Sequence, residues 1–421
     1  MSTTVEPQFT SAADQRAARR NQTLLLVLGA FLAVSLARSL SGHDDLTSSF
    51  TIAQAVISTL PILMAGLGGL LSERAGVVNI GLEGMMILGT WGAGFFGYHY
   101  GPWAALVGAM ACGAIAGLLH ALVVVRFGVD HVVSGVAINL LAFGWARFLA
   151  AALFKGRGSG SETNSPGFDV AKGMPTIRVP GMGKGGFMAT LENKHWPFLS
   201  DFAGITRGLL GSWPLYRLIA IAMLPLVAWL VWRTKFGLRL RSSGEKPSAA
   251  DSLGVPVGQI RYLAVSASGS LAGLGGALLV LNQSGQYVEN QTNSKGFLGL
   301  AALIFGNWRP MGVLGGASLF GFLDTVQLTA EPAVIGLYLL VAFGAAYGAY
   351  RLVRSGKKRS AGALVGLALG LVLLFISDWQ LNTDLIKGLP YFGTLVVLAV
   401  FSRRMRPPAA AGQPWRKGQI T

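Results

Sequence analysis

Residues 102–126 read PWAALVGAMACGAIAGLLHALVVVR, and no Lys, Arg, Asp or Glu interrupts this stretch before its last residue. A helix needs about 20 predominantly apolar residues to cross the hydrocarbon core of a bilayer. This stretch is long enough, and comparable runs recur along the chain. The sequence therefore predicts an all-α fold, a polytopic transmembrane helical bundle. The other predicted helices lie near residues 22–40, 50–71, 77–99, 130–154, 213–232, 259–282, 297–308, 311–330, 332–350, 361–378 and 386–402.

The composition agrees with a membrane protein. Of the 421 residues, 52% are hydrophobic and 12% are charged, against roughly 25% charged in an ordinary soluble domain. The net charge of +16 does not indicate nucleic acid as a partner, because the basic residues sit at the ends of apolar runs, as in cytoplasmic loops of membrane proteins. Membrane lipid is the expected surrounding. The single cysteine, Cys112, excludes an intramolecular disulfide and a thiolate metal site.

Charge also predicts the topology. The three densest basic clusters lie at 233–246, 351–359 and 403–406, and all three fall on one side if every predicted helix crosses the membrane, 297–308 included. We therefore expect about 12 crossings with both termini in the cytoplasm. The predicted organisation is a cytoplasmic N-terminal segment (1–21), a transmembrane domain (22–402) and a cytoplasmic tail (403–421). Within the domain, an external loop spans 155–212 and a cytoplasmic segment spans 233–258.

Motifs for chemistry are missing from the sequence. Gly181–Gly186 matches G-x-G-x-x-G but lies in the polar loop, without the strand and helix that dinucleotide binding needs. No G-x-x-x-x-G-K-[ST] occurs, so this chain has no phosphate-binding P-loop of its own. No catalytic or metal-ligating residue is predicted, and the chain is not expected to be an enzyme.

A few polar residues fall inside the predicted helices. Asn79 and Glu83 lie one helical turn apart in the predicted helix 77–99, which places them on one face. Asn139 and Asp324 are the other candidates. Because polar groups in hydrocarbon are costly, they face the bundle interior, a partner or water. Two interpretations stay open: a polar lining for a solute path, or hydrogen bonds between helices that stabilise packing.

The cytoplasmic segment 233–258 reads RTKFGLRLRSSGEKPSAADSLGVPVG. Pro247 suits the first position of a helix, and Gly254 suits the residue just past a helix end. These signals predict a helix of about two turns from Pro247 to Leu253, outside the membrane. Its small face of Ala249, Ala250 and Leu253 would fit a shallow groove of a partner, while an ordered connector is the alternative.

The stretch GLRLRSSGEKPSAADSLGVPVGQIRYLAVSASGSLAGLGGALL (237–279) closely resembles the permeases of ABC importers for nucleosides and simple sugars, in the branched-chain amino acid/ribose-type superfamily. Four further stretches resemble the same family in the same order. They are LLSERAGVVNIGLEGMMILG (70–89), HVVSGVAINLLAFG (131–144), GFLGLAALIFGNWRPMGVLGGASLFGF (296–322) and LPYFGTLVVLAVFSRRMRPPAAAGQPW (389–415).

The resemblance implies a permease of the bacterial plasma membrane with about ten core spans, so that 332–378 is an extra hairpin. It implies a partner ATP-binding subunit that uses ATP-Mg, a second related permease subunit in a heterodimer, and an external solute-binding lipoprotein. This chain itself would bind no cofactor, and its cargo would be a nucleoside or a ribose-like sugar. The residues expected to couple it to the ATPase are Gly244, Glu245, Pro247, Ala249, Ala250, Leu253 and Gly254.

The competing hypothesis is a secondary transporter driven by an ion gradient. Such proteins carry intramembrane carboxylates and broken helices at matched places in two halves. Glu83 and Asp324 would serve as the ion-coupling carboxylates, but no internal repeat is evident in the sequence.

Overall fold

A computed structural model describes residues 28–29, 31–42, 46–283, 285–329, 331–356, 358–377, 388 and 405–415. Within these residues, six helices are long and apolar enough to cross a membrane. The prediction of a helical membrane protein is thereby confirmed, while the number of crossings and the side of the termini stay predictions. The predicted helix 386–402 lies outside the described residues, apart from Gly388. The six helices are Ser49–Arg74, Pro102–Arg126, His131–Leu153, Leu215–Arg233, Val257–Asn282 and Lys358–Ile376.

Short helices and two short strands complete the part of the fold that the structure describes. The external loop predicted at 155–212 contains several of them, and its strand β1 pairs antiparallel with β2, with Thr176 opposite Pro214. In chain order the elements are α1 (Phe31–Ser41), α2 (Ser49–Arg74), α3 (Leu82–Tyr100), α4 (Pro102–Ala121) followed by a π-helical turn (Leu122–Arg126), α5 (His131–Leu153), α6 (Val170–Gly173), β1 (Thr176–Arg178), α7 (Phe187–Glu192), α8 (Leu199–Leu210), β2 (Ser212–Pro214), α9 (Leu215–Arg233), α10 (Lys235–Glu245), α11 (Pro247–Ser252), α12 (Val257–Asn282), α13 (Lys295–Phe305), α14 (Pro310–Thr329), α15 (Glu331–Arg354) and α16 (Lys358–Ile376).

The described elements form two compact units. One contains α1, the first turn of α2, the α7–α8 segment and the α15–α16 pair, which corresponds to the predicted extra hairpin. In this unit Gly348 of α15 lies against Leu364 of α16. The other unit contains the rest of α2, helices α3 to α6, both strands, α9 to α14 and the described tail.

Helix α12 is the centre of the larger unit, and glycines bring it close to α4. A Cβ on Gly113 would lie 2.2 Å from the carbonyl oxygen of Gly269, and one on Gly273 would lie 2.2 Å from that of Ala109. Only glycine allows this separation, as in other close-packed membrane helices. Gly113, Gly117, Gly269 and Gly273 are therefore packing positions between the two helices. On α16, a Cβ at Gly362, Gly366 or Gly370 would meet no other atom within 4 Å.

Helix α3 begins five residues later than predicted, because the chain is not helical between Gly76 and Gly81. Gly76 has a φ of +94°, a conformation that glycine adopts readily. The backbone groups freed by this break bond to side chains: His131 Nδ1 accepts from Val78 N at 3.1 Å. The expectation that Asn79 and Glu83 share one helical face is wrong, because Asn79 precedes α3 and Glu83 lies in its first turn.

A second interrupted helix follows α12. Helix α13 is only 11 residues long, in agreement with the short apolar run predicted at 297–308. Just beyond its end, the carbonyl oxygen of Trp308 accepts from Arg74 Nη2 at 2.8 Å. The end of α13 therefore lies beside the end of α2.

Candidate functional sites: a buried polar cluster and a junction at the helix ends

Glu83 joins the two interrupted helices. Its Oε2 accepts the backbone N–H of Gly296 at 2.6 Å, and its Oε1 accepts that of Ser294 at 3.2 Å. The first N–H groups of a helix have no partner within the helix, and its N-terminus carries partial positive charge. The carboxylate thus supplies an anionic acceptor at the start of α13. Since both oxygens are engaged and Glu83 is buried, these contacts favour the packing interpretation of this residue.

Asn139 on α5 bridges the break before α3. Its Oδ1 accepts from Gly84 N at 2.7 Å, and its Nδ2 donates to the carbonyl oxygen of Ile80 at 3.1 Å. One amide side chain therefore satisfies a donor at the start of α3 and an acceptor just before it. Non-helical backbone at membrane depth needs such partners, so these contacts also support packing.

Asn79 lies in the non-helical segment and turns towards α12. Its Nδ2 donates to Ser268 Oγ at 3.0 Å, and the residue is fully buried. Its Oδ1 has no hydrogen-bond partner within the described part of the chain. Asn79 thus combines complete burial with an acceptor that the described residues leave unused.

Asp324 on α14 pairs with a residue that the sequence analysis missed. Lys295 Nζ lies 3.2 Å from Asp324 Oδ2, and both side chains are buried. A signal for Lys295 was present: the run 297–308 is too short to cross alone, so the residues before it enter the membrane. A lysine there needs an acidic partner. The ion pair supports a packing role for Asp324.

Lys295 stands between the two residues whose N–H groups bind Glu83. At the start of α13, backbone N–H groups therefore bind Glu83 of α3, and the side chain of Lys295 binds Asp324 of α14. Helices interrupted within the membrane, with their N-termini directed at polar groups, occur at the binding sites of transporters. We use the name polar cluster for the five polar residues that bond at the starts of α3 and α13 or just before α3: Asn79, Glu83, Asn139, Lys295 and Asp324.

The predicted cytoplasmic helix is present as α11, with Pro247 in its first turn and Gly254 just beyond it at a φ of +79°. Leu253 is 85% exposed and Ala249 is also exposed, but Ala250 is buried. The expectation that Ala250 belongs to the outward face is wrong. Residues four apart share a helical face, whereas neighbours point about 100° apart. Leu253 therefore groups with Ala249.

Helix α10, which the sequence analysis did not predict, precedes α11 and ends against α2. A Cβ on Gly244 would lie 2.2 Å from the carbonyl oxygen of Arg74. Arg74 Nη1 also lies 3.7 Å from Glu245 Oε1. In the same region, Trp308 Nε1 donates to Glu73 Oε2 at 2.6 Å. The ends of α2, α10 and α13 thus meet at one junction.

The described tail, residues 405–415, lies across this junction, and we call it the strap. Its Ala410 N donates to the carbonyl oxygen of Gly244 at 2.9 Å, and its Gly412 N donates to that of Gly76 at 3.1 Å. Arg406 N donates to Asn307 Oδ1 at 2.8 Å. The strap therefore joins the end of α10 to the turn that precedes α3. No sequence signal marks the strap, because its bonds are made by backbone groups, which every residue type but proline can supply.

The sequence that carries these elements matches a known family. Residues 51–344 match the family described as "Branched-chain amino acid transport system / permease component", a range that contains α11 and the whole polar cluster. The chain belongs to this family. It is therefore an integral membrane permease component, as the six apolar helices among the described residues also indicate.

Named relatives of this permease are themselves permeases. It is 34% identical over 307 residues to the guanosine ABC transporter permease protein NupQ of Bacillus subtilis (strain 168). The matched region covers 70% of this chain and 88% of the relative. It is 30% identical over 383 residues to the nucleoside ABC transporter permease protein NupC of Lactococcus lactis subsp. cremoris (strain MG1363), covering 89% and 98%. It is 34% identical over 277 residues to the putative glucose ABC transporter permease protein TsgC13 of Haloferax volcanii, covering 66% and 76%.

Within the described residues of the permease, no group of three or more His, Cys, Asp or Glu side chains is placed to hold a metal ion. The two histidines near the polar cluster bond to neighbours instead. His120 Nδ1 lies 2.8 Å from Ser134 Oγ, and His131 Nδ1 accepts from Val78 N. These contacts stabilise the break before α3.

Proposed function

We propose that this chain is the membrane-spanning permease subunit of an ATP-driven ABC importer and forms the translocation path for a nucleoside. The observation that carries the proposal is the family match over 51–344 together with the likeness to NupC over 89% of this chain. Related simple sugars are the second cargo class, which the likeness to TsgC13 supports.

In this proposal, ATP is bound and hydrolysed by a separate subunit with its own Mg²⁺. This chain does no covalent chemistry, which agrees with the lack of a P-loop motif in its sequence. Helix α11 contacts that subunit through Leu253 and Ala249, which are exposed. A solute-binding lipoprotein delivers the cargo, and a second related permease completes the path.

Movement of α11 reaches the polar cluster through direct contacts. At the end of α10, Gly244 packs against Arg74 of α2. The strap hydrogen-bonds both to Gly244 and to Gly76, so it links the end of α10 to the turn that precedes α3. Closure of the ATPase dimer would displace α10 and α11 and, with them, the turn that precedes α3.

Glu83 then carries this displacement to α13, because its carboxylate holds the first turn of that helix. Coupled movement of α3 and α13 would favour an outward-facing or an inward-facing state in turn. A partner can shift such an equilibrium only by interacting differently with the two states.

The secondary-transporter hypothesis is less well supported by the contacts. Its two carboxylates are engaged, Glu83 by backbone N–H groups and Asp324 by Lys295. Broken helices are present, but an ABC permease can use the same geometry at its solute path.

The test is uptake of radiolabelled guanosine into proteoliposomes that contain this chain together with the products of its neighbouring genes. We expect uptake that requires ATP, the ATPase and the binding protein. Unlabelled ribose and glucose are added as competitors to test the second cargo class. Uptake by this chain alone, abolished by collapse of the ion gradient and indifferent to ATP, would refute the proposal.

A further inference from the structure

Helix α8 turns its polar side inward and its apolar side outward. Asp201 is 1% exposed and Ser200 is buried, whereas Phe202 is 52% exposed and Leu199 and Leu209 are also exposed. A helix on an aqueous surface has the opposite arrangement. The surroundings of the exposed face must therefore be apolar.

The inward side of α8 is satisfied by the protein. Asp201 accepts hydrogen bonds from Ser35 Oγ and from Thr47 Oγ1, the latter at 2.5 Å. Arg38 Nη1 lies 3.4 Å from Asp201 Oδ1, and Phe198 N donates to Oδ2 at 3.2 Å. These polar groups are paired without any contribution from water, as is required of polar groups held at membrane depth.

Two glycines hold α8 against the start of α2. A Cβ on Gly204 would lie 2.3 Å from the carbonyl oxygen of Thr47, and one on Gly208 would lie 2.8 Å from that of Ser49. Small residues four apart allow this approach in membrane helices. Because Ser49 begins a helix that is able to span the bilayer, α8 lies at the depth where such a span enters the membrane.

Residues on either side of this contact strengthen it. Glu192 Oε1 accepts from Ser49 N, the first backbone donor of α2, at 2.8 Å. Glu192 Oε2 also pairs with Arg207 Nη1 at 2.5 Å. A carboxylate at a helix N-terminus is stabilised by the partial positive charge there. The α7–α8 segment therefore contacts the start of α2 both through the two glycines of α8 and through Glu192.

An aromatic residue and a cation mark the other end of α8. Lys194 Nζ lies 4.6 Å from the ring centroid of Trp196, and Trp196 is exposed. Tryptophan is enriched where a protein meets the headgroup region, and lysine extends its charge towards water there. This pair places the beginning of α8 at the headgroup level.

We propose that α8 is inserted in the membrane, with Leu199, Phe202 and Leu209 against lipid acyl chains and the Lys194–Trp196 pair among the headgroups. The occupant of the exposed face is lipid. With 12 residues, α8 is about 18 Å long and too short to cross, so it enters one leaflet only. The segment predicted as an aqueous loop is then partly a membrane element. This inference does not depend on the cargo or on ATP.

The test uses the fact that the chain has one cysteine. In a Cys112→Ala background, a nitroxide spin label is attached at Phe202→Cys, and the protein is reconstituted into phosphatidylcholine and phosphatidylglycerol vesicles. Collisions with oxygen, which concentrates in lipid, are compared with collisions with a water-soluble nickel chelate. The matched control is Lys184→Cys, which is exposed in the polar part of the same loop.

We expect oxygen to dominate at Phe202→Cys and the nickel chelate to dominate at Lys184→Cys. Equal nickel access at the two positions would overturn the proposal. Nickel access at Phe202→Cys that disappears only when the solute-binding protein is added would also overturn it, because the face would then be a protein-binding surface. Both positions are exposed, so labelling leaves the packing of the helix intact.

Discussion

The carboxylate of Glu83 and the backbone N–H of Gly296 are 2.6 Å apart, although 213 positions separate the two residues in sequence. A Cβ on Gly296 would lie 2.5 Å from the Cα of Glu83, so this contact also requires glycine. The relationship joins the N-terminal turns of α3 and α13, two helices that both begin inside the bundle. A displacement of either helix would act on the other through this contact.

Replacing Glu83 with alanine should destabilise the protein. The buried N–H of Gly296 and the part-buried N–H of Ser294 would lose their charged acceptor, at a cost of about 1–3 kcal/mol for the buried group. We expect a lower melting temperature in detergent together with reduced uptake, and a smaller effect for Glu83→Gln, which keeps one acceptor oxygen. Reduced uptake with an unchanged melting temperature would instead indicate that Glu83 lines the solute path.

The Lys295–Asp324 pair makes a prediction about charge balance. Asp324→Ala leaves a buried lysine without its partner, which typically costs about 3–5 kcal/mol. The double variant Lys295→Met/Asp324→Leu removes both charges and should recover most of the folded yield. The measurement is the folded yield and the thermal stability, in detergent, of the unaltered protein, Asp324→Ala and the double variant. A double variant as unstable as Asp324→Ala would show that the loss comes from packing and not from the unpaired charge.

In α11 and in Leu253, the residue that follows its end, the effect of a new charge should depend on exposure. Leu253→Arg places a charge on an exposed face, so we expect normal membrane insertion and loss of co-purification with the ATPase. Ala250→Arg would force a charge into a buried position and should lower the folded yield itself. Normal co-purification of Leu253→Arg would remove α11 from the interface with the ATPase.

The strap can be tested by removing a single donor. Ala410→Pro eliminates the N–H that bonds to Gly244, a loss of about 1 kcal/mol in stability. We expect less solute transported per ATP hydrolysed, with the ATPase still bound. The control is Arg406→Ala, which removes an exposed side chain and keeps every backbone donor of the strap. Equal transport per ATP in the two variants would limit the strap to a passive role.

Much of helix α11 could be predicted from local signals. Pro247 and Gly254 act through the backbone geometry of their own residues, so the start and end of α11 were legible without any tertiary contact. The break before α3 could not be predicted from the sequence, because Val77–Leu82 (VVNIGL) is as apolar as the helix that follows. That break is stabilised by His131 and Asn139, which lie on another helix.

The class and the family of this protein could be predicted from its residues, because long uncharged apolar runs have one stable environment and because the motifs stand in the family's order. Which polar residues meet depends on the packing of the helices: Glu83 with the start of α13, Lys295 with Asp324, and the strap with Gly244 and Gly76. The difference follows from distance along the chain. Hydrophobicity and helix signals act over a few neighbouring residues, whereas these bonds join segments that only the packing of whole helices brings together.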